Sequence, residues 1–171
     1  IGLGEEAQYF WRVRLHDEVE RKPWSEARTF YTWQEGAGRD VIYQLVVRHF
    51  SNTEGESIVD GTIEENGVGK FAGIDEVALL RIRGMGATHL YLTGVLRQAT
   101  RTDYSQIGLP ADDPDILKGR AGSFFAVKDY FDVSPDYALE PARRLEESKE
   151  LVDRVHGAGM KALIDIVPNH V

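Results

Sequence analysis

Near its carboxyl end the chain sets a carboxylate, an amide and an imidazole within six residues: Asp165, Asn169 and His170, the latter two directly behind Pro168. An ionised carboxylate in an apolar run is costly unless it is paired or hydrogen-bonded. Asp165 therefore either takes a direct part in an active site or ties down neighbouring loop amides. Asn169 and His170 read either as ligand-facing groups or as a polar turn. A second imidazole, His49, falls at the end of an earlier apolar run, so a shared metal between His49 and His170 is one further reading. Asp112, Asp113 and Asp115 bunch oxygen donors in one loop, as calcium sites do. Their spacing is not that of an EF-hand, and a solvated acidic turn explains them as well. Gly67-Val68-Gly69-Lys70 lacks the glycine spacing and the Ser or Thr of a phosphate-binding loop. No Gly-x-Ser-x-Gly elbow is present.

These groups need elements to position them. Ala162 to Val167 is an apolar, largely branched run that follows a helical pattern and ends at a proline, which predicts a buried parallel strand finishing at Pro168. Its carboxyl end is where α/β folds gather ligands. Val41 to Val47 and His89 to Thr93 predict two earlier strands. Between them, Phe71, Ile74, Ala78 and Ile82 recur at helical spacing, stopped by Gly84-Met85-Gly86. A second helix opens at Pro141, with Leu145, Leu151, Val152 and Val155 on its apolar face. The order β-α-β-loop-α-β is that of a parallel sheet. The stretch from Gly94 to Glu140 is expected to be a long polar connection, far outside the usual length for a βα loop. Residues 1–38 form an aromatic lead-in in which Trp11, Val13 and Leu15 alternate like a strand, while Ala7, Trp11, Leu15 and Val19 fit a helix equally well.

With 171 residues and a net charge of −8, the chain carries no surplus of Lys and Arg to neutralise phosphates, so no nucleic-acid partner is expected. No window reaches 18 consecutive apolar residues, so no membrane role is expected. Without cysteine, disulfides and thiolate metal sites are excluded, and the compartment is undetermined.

Taken together, the motifs resemble the α-amylase superfamily of glycoside hydrolases and transglycosidases. VIYQLVVRHF (Val41 to Phe50) is similar to that family's first barrel strand, and Phe71 to Val95 to its first helix and second strand. Phe125 to Tyr130 is similar to its Gly-Tyr-x-x-x-Asp-Tyr segment, and Asp165 to His170 to its Asp-x-Val-x-Asn-His hallmark. The resemblance covers about residues 38–171.

It implies an α/β chain holding the first three β/α units of a (β/α)8 TIM barrel, incomplete, with a long loop after the second strand. Residues 1–38 would be a lead-in and 39–171 the amino-terminal portion of the catalytic barrel. By resemblance, His170 hydrogen-bonds the sugar in the cleavage subsite and Phe125 stacks beneath it in place of the usual Tyr. Asn169 faces a calcium position, and Asp165 and Asp129 are structural supports. Arg48 stands where Asp is frequent, and Gly94 where Pro is common. The nucleophile, the acid/base and the third catalytic carboxylate belong to the family's fourth, fifth and seventh strands, so no catalytic residue is expected within these 171 residues. The implied parent is an α-glucan-active enzyme working by retaining double displacement, with this chain inactive alone and in need of the rest of its barrel. The competing expectation is a non-catalytic amylase-like sugar-binding or interaction module.

Overall fold

The computed structural model describes residues 8–11, 28–31, 39–53 and 58–167. The chain divides into two units, Ile1–Arg39 and Asp40–Val171. In the first, strand β1 (Gln8–Trp11) pairs antiparallel with β2 (Arg28–Tyr31), Gln8 lying opposite Tyr31 and Trp11 opposite Arg28. The strand alternative for Trp11 is thus the one adopted. The remaining lead-in residues, Trp33 and Gly36 to Gly38 among them, lie outside the described residues.

The second unit is built on three parallel strands: β3 (Ile42–Val46), β4 (His89–Thr93) and, following them, β7 (Lys161–Ile164), in spatial order β3-β4-β7. Ile42 lies beside His89, and His89 beside Lys161, so the strand starts are level and the carboxyl ends emerge together. The first strand is shorter than expected. Val47 leaves the sheet and opens a single helical turn, α1 (Val47–Phe50), which carries Arg48 and His49 off the strand end. Another short helix, α2 (Ile63–Asn66), starts at a reciprocal cap: the Thr62 hydroxyl accepts from Glu65 N–H, and the Glu65 carboxylate accepts from Thr62 N–H at 2.9 Å.

Helix α3 (Glu76–Gly84) begins later than its apolar spacing suggested. Phe71 and Ile74 are buried ahead of it, in a 3-10 turn and its exit, because Asp75 caps the helix by accepting from Ala78 N–H at 2.8 Å. The buried face is Leu79 and Ile82; Ala78 is only partly covered. Helix α4 (Arg144–Gly157) follows a 3-10 turn at Pro141–Arg143, and it buries Leu151 and Val155 as expected. Leu145 instead faces solvent, and Glu147 takes the core-facing position one turn before Leu151. That carboxylate accepts from the N–H groups of Leu139 and Glu140 at 2.7 and 2.8 Å, tying the chain entering the helix to its first turns. Both helices pack their apolar residues with Leu45, Leu90, Leu92 and Tyr137 in one core.

The expected long polar loop is not structureless. Strand β5 (Leu96–Gln98) pairs antiparallel with β6 (Val127–Val133), through a register broken on both sides of Arg97. A charged cluster holds this ribbon. Arg97 pairs with Asp129 at 2.8 Å and Asp132 at 3.0 Å, and Arg144 grips Asp132 with two bonds of 2.7 and 2.9 Å. Asp129 also accepts from Phe131 N–H at 2.8 Å. The Arg97 hydrogen bond, then the Phe131 amide, hold the Asp129 carboxyl below its ordinary range. A depressed folded-state pKa stabilises above the unfolded value and loses that stabilisation as pH falls through the folded one. Asp129→Asn is therefore expected to shrink the loss of thermal stability between pH 6 and pH 3, most of it below about pH 4, in pH-scanned melting of the full-length protein. An unchanged acid limb would remove this role.

Among the described residues, no helix is long and apolar enough to cross a membrane.

Candidate functional site

At the common carboxyl end of the three strands, Asp165 follows β7 directly and is 8% exposed. Its Oδ1 accepts from Gly94 N–H at 2.9 Å; its Oδ2 has no hydrogen-bond partner among the described residues. It thus links the exit of β7 to the exit of β4. Gly94 makes that approach feasible. Its φ is +71°, and a Cβ there would lie 2.6 Å from the Cβ of Phe124. Only a residue without a side chain combines that conformation with that contact.

Phe124 is the base of an aromatic pair. Its ring meets that of Phe125 at 4.6 Å and 62°, and the Phe125 side is 44% exposed. On the other side, the Arg48 guanidinium lies over the Phe124 ring, 5.5 Å from its centroid. Arg48 is itself fixed, donating to the carbonyls of Ala121 at 2.9 Å and Gly122 at 3.3 Å. The Gln98 amide also donates to Ala121 O, at 2.8 Å. Gly122 has φ +65°, and a Cβ there would meet Ala99 O at 1.9 Å, so the turn lies flat on β5. Arg48 at the first strand's exit thereby holds the turn that presents Phe125.

In the connections after β3 and β4, Asp136, Tyr104 and Tyr137 are buried and Lys70 is half-buried. Asp136 accepts from the Tyr104 hydroxyl at 2.9 Å, and burial pushes its carboxyl up from the ordinary range. Burial lowers the Lys70 ammonium, which donates to the Asp136 and Ala138 carbonyls at 2.6 and 3.0 Å. Tyr137, wholly buried, has its phenol pushed up to about 12, chiefly by burial, with the Arg48 guanidinium acting the other way. These groups frame the strand ends and leave the aromatic face open.

The sequence-expected residues divide accordingly. Asp165 and Phe125 lie on either side of the Gly94–Phe124 contact. Asp129 sits in the charged cluster of the ribbon. Its neighbour Tyr130 reaches toward β7 and donates its hydroxyl to Val167 O, immediately before Pro168. Asn169 and His170 lie outside the described residues. Asp112 is engaged by Lys128 and by Thr100 N–H, and Asp113 caps the next turn through Asp115 N–H at 2.9 Å, so two of these three carboxylates are taken up by bonds within the protein. Among the described residues, no three His, Cys, Asp or Glu side chains gather to hold a metal ion. The role of Arg48 was not signalled by any motif; a cation at a strand's exit facing two adjacent phenylalanines is the one hint in the sequence.

The catalytic-domain model of alpha amylase matches residues 44–171. The chain belongs to the alpha-amylase family. A glycogen debranching enzyme of Klebsiella pneumoniae subsp. pneumoniae is 24% identical over 166 residues, 95% of this chain and 20% of that protein. A second, from Klebsiella pneumoniae strain 342, is 44% identical over 41 residues, which is 24% of this chain and 6% of that protein. Among solved structures, an alpha-amylase from Lactobacillus plantarum superposes with a TM-score of 0.51 at 30% identity, over 77% of this chain and 23% of that one. The chain therefore spans about a fifth of the first curated relative's length. Within the alpha-amylase family match fall all three parallel strands, apart from the first two residues of β3, and the whole Phe124–Phe125 turn.

Proposed function

We propose that this chain supplies the first three β/α units and part of the substrate wall of an α-glucan-active hydrolase or transglycosidase. The observation that carries the reading is the exposed Phe125 face, held on Phe124 and Arg48 beside the strand end that leads into Asn169 and His170. A flat apolar ring bordered by buried polar groups suits one face of a sugar, whose C–H groups stack while its hydroxyls bond at the edges. The names of the debranching-enzyme and alpha-amylase relatives favour an α-linked glucan.

In this reading Phe125 bears the ring of the bound sugar and His170 hydrogen-bonds its hydroxyls. Asp165 fixes the strand exits that hold both. Retaining hydrolysis needs a nucleophilic carboxylate and a carboxylic acid about 5–5.5 Å apart. Those groups would come from further strands of the same barrel, which would also cover the open edges of β3 and β7; this chain alone would be inactive. Asn169 would face a calcium ion if one is bound. The described residues form no cage for calcium, so no step is assigned to it.

The test is kinetic, in the full-length protein acting on maltodextrins. His170→Ala is expected to lower kcat/KM about 10- to 100-fold, the cost of losing one or two hydrogen bonds to substrate. Phe125→Tyr is expected to lower KM, by adding a hydroxyl at the ring edge. Unchanged kinetics in His170→Ala would remove its role. The second reading, a sugar-binding module without catalysis, is favoured by Phe125 standing where a hydroxyl-bearing ring is usual. Saturable maltooligosaccharide binding without turnover by the full-length protein would establish it instead.

A further inference from the structure

The ladder between β7 and β4 ends at the Leu92–Ile164 pair, six residues before His170. Beyond that pair, two side-chain bonds tie the chain to the rest of the fold. Asp165 accepts from Gly94 N–H, and the Val167 carbonyl accepts from the Tyr130 hydroxyl. The second bond falls at a stiff point. Proline locks its own φ, has no N–H by which to be held, and confines the residue before it to extended backbone. Val167 precedes Pro168, so a fixed Val167 carbonyl leaves few soft dihedrals before the amide of Asn169 and the imidazole of His170.

The donor is itself fixed. Tyr130 lies in β6 between Asp129, paired with Arg97, and Asp132, gripped by Arg144 and Arg97. Side chains alternate along a strand. Phe131 points outward, 94% exposed, whereas Asp132 on the opposite face is buried, and Tyr130 shares that face. A phenol turns about only two side-chain torsions, so backbone anchored on both sides aims the hydroxyl closely. The same segment also carries Phe125, five residues before Tyr130. One short stretch thus holds the ring proposed to support the sugar and the hydroxyl that ties down the chain entering His170.

We propose that Tyr130 is a positioning residue: by holding the Val167 carbonyl, its hydroxyl aims His170 at a sugar resting on Phe125. The inference rests on the α-glucan reading above and adds to it the residue that sets the imidazole's place.

The experiment uses Tyr130→Phe in the full-length protein, which removes the hydroxyl and keeps the ring. Turnover of maltodextrins is compared for the wild type, Tyr130→Phe, His170→Ala, Phe125→Ala and the two double variants that add Tyr130→Phe to each of the others. Tyr130→Phe is expected to lower kcat/KM about five- to tenfold, the scale of one lost hydrogen bond. Because the hydroxyl acts through His170, the same change should cost less than about twofold in the His170→Ala background and its full effect in the Phe125→Ala background. A hydroxyl that only braced the fold would shift the melting temperature and leave the cycle with His170 additive. Wild-type kinetics in Tyr130→Phe, losses of the same size in the two backgrounds, or coupling to Phe125 in place of His170 overturns the proposal and leaves the α-glucan reading standing. If the wild type neither binds nor turns over maltodextrins, the α-glucan reading and this one fall together.

Discussion

Replacing Gly94 with alanine in the full-length protein is expected to cost roughly 2–5 kcal/mol, from a left-handed backbone (~1–2 kcal/mol) and from overpacking (~1–3 kcal/mol). Two features of the position produce this. Its φ is +71°, where a side chain strains the backbone, and the new Cβ would lie 2.6 Å from Phe124 Cβ, which is not the movable end of a long side chain. Relief requires Phe124 to shift, and Phe124 is in contact with both the Phe125 ring and the Arg48 guanidinium. The damage therefore reaches the exposed Phe125 ring, and if that ring carries substrate as proposed, KM for maltodextrin should rise along with the loss of stability. It also strains the Gly94 N–H bond to Asp165 at the end of β7. Gly86 is the control: φ there is +94°, with nothing within 4 Å of an added Cβ. Gly86→Ala should carry the backbone cost alone and leave KM untouched. The double variant Gly94→Ala/Phe124→Ala keeps the 2.6 Å Cβ–Cβ contact and removes only those to the ring, so it should recover little of the stability loss and none of the KM change. Melting temperature and KM measured together decide the matter; equal losses in the two glycine variants would show that the Phe124 contact contributes nothing.

The parallel strands were legible because branched apolar runs between glycine and proline breaks admit few other readings, and β4 coincides with its expected limits. The errors have physical causes. Strand β6 was hidden because Asp129 and Asp132 interrupt its branched and aromatic residues, and a broken register erases the two-residue alternation. Those acids are tolerated because Arg97 and Arg144, 32 and 12 residues away in sequence, neutralise them. Glu147 was missed for a related reason. Apolar periodicity cannot anticipate a buried acid whose partners are two backbone N–H groups of the preceding loop. At the site, Asp165 and Phe125 were found from local motifs, whereas Arg48 was not. Its contact to Gly122 O spans 74 residues, and only folding brings the two together.

The charged cluster carries the second large effect: Arg144→Leu is expected to destabilise the protein by about 3 kcal/mol, near the lower end of the range for stripping a buried ion pair of one partner. Asp132 is the hub. Its side chain is 9% exposed, and Arg144 meets both its oxygens while Arg97 approaches from the ribbon. Without Arg144 the carboxylate keeps the Val133 N–H, at 2.9 Å from Oδ1, and one cation, Arg97, whose contact to Asp132 is through Nε and whose Nη2 is already given to Asp129. The remaining charge is too deep for water to compensate fully. Arg144 also joins the first turn of α4 to β6, so its loss loosens the helix entry from the ribbon that presents Phe125 and Tyr130. Removing both charges tests the mechanism. Asp132→Leu/Arg144→Leu restores an apolar contact in place of a stranded acid, and should be more stable than Arg144→Leu alone by at least 1 kcal/mol, the sign found when buried pairs are replaced whole. Denaturant midpoints for the wild type, both single variants and the double variant give the coupling directly. Strictly additive losses would mean that Arg144 and Asp132 stabilise the fold independently, and that α4 is anchored by its apolar face alone.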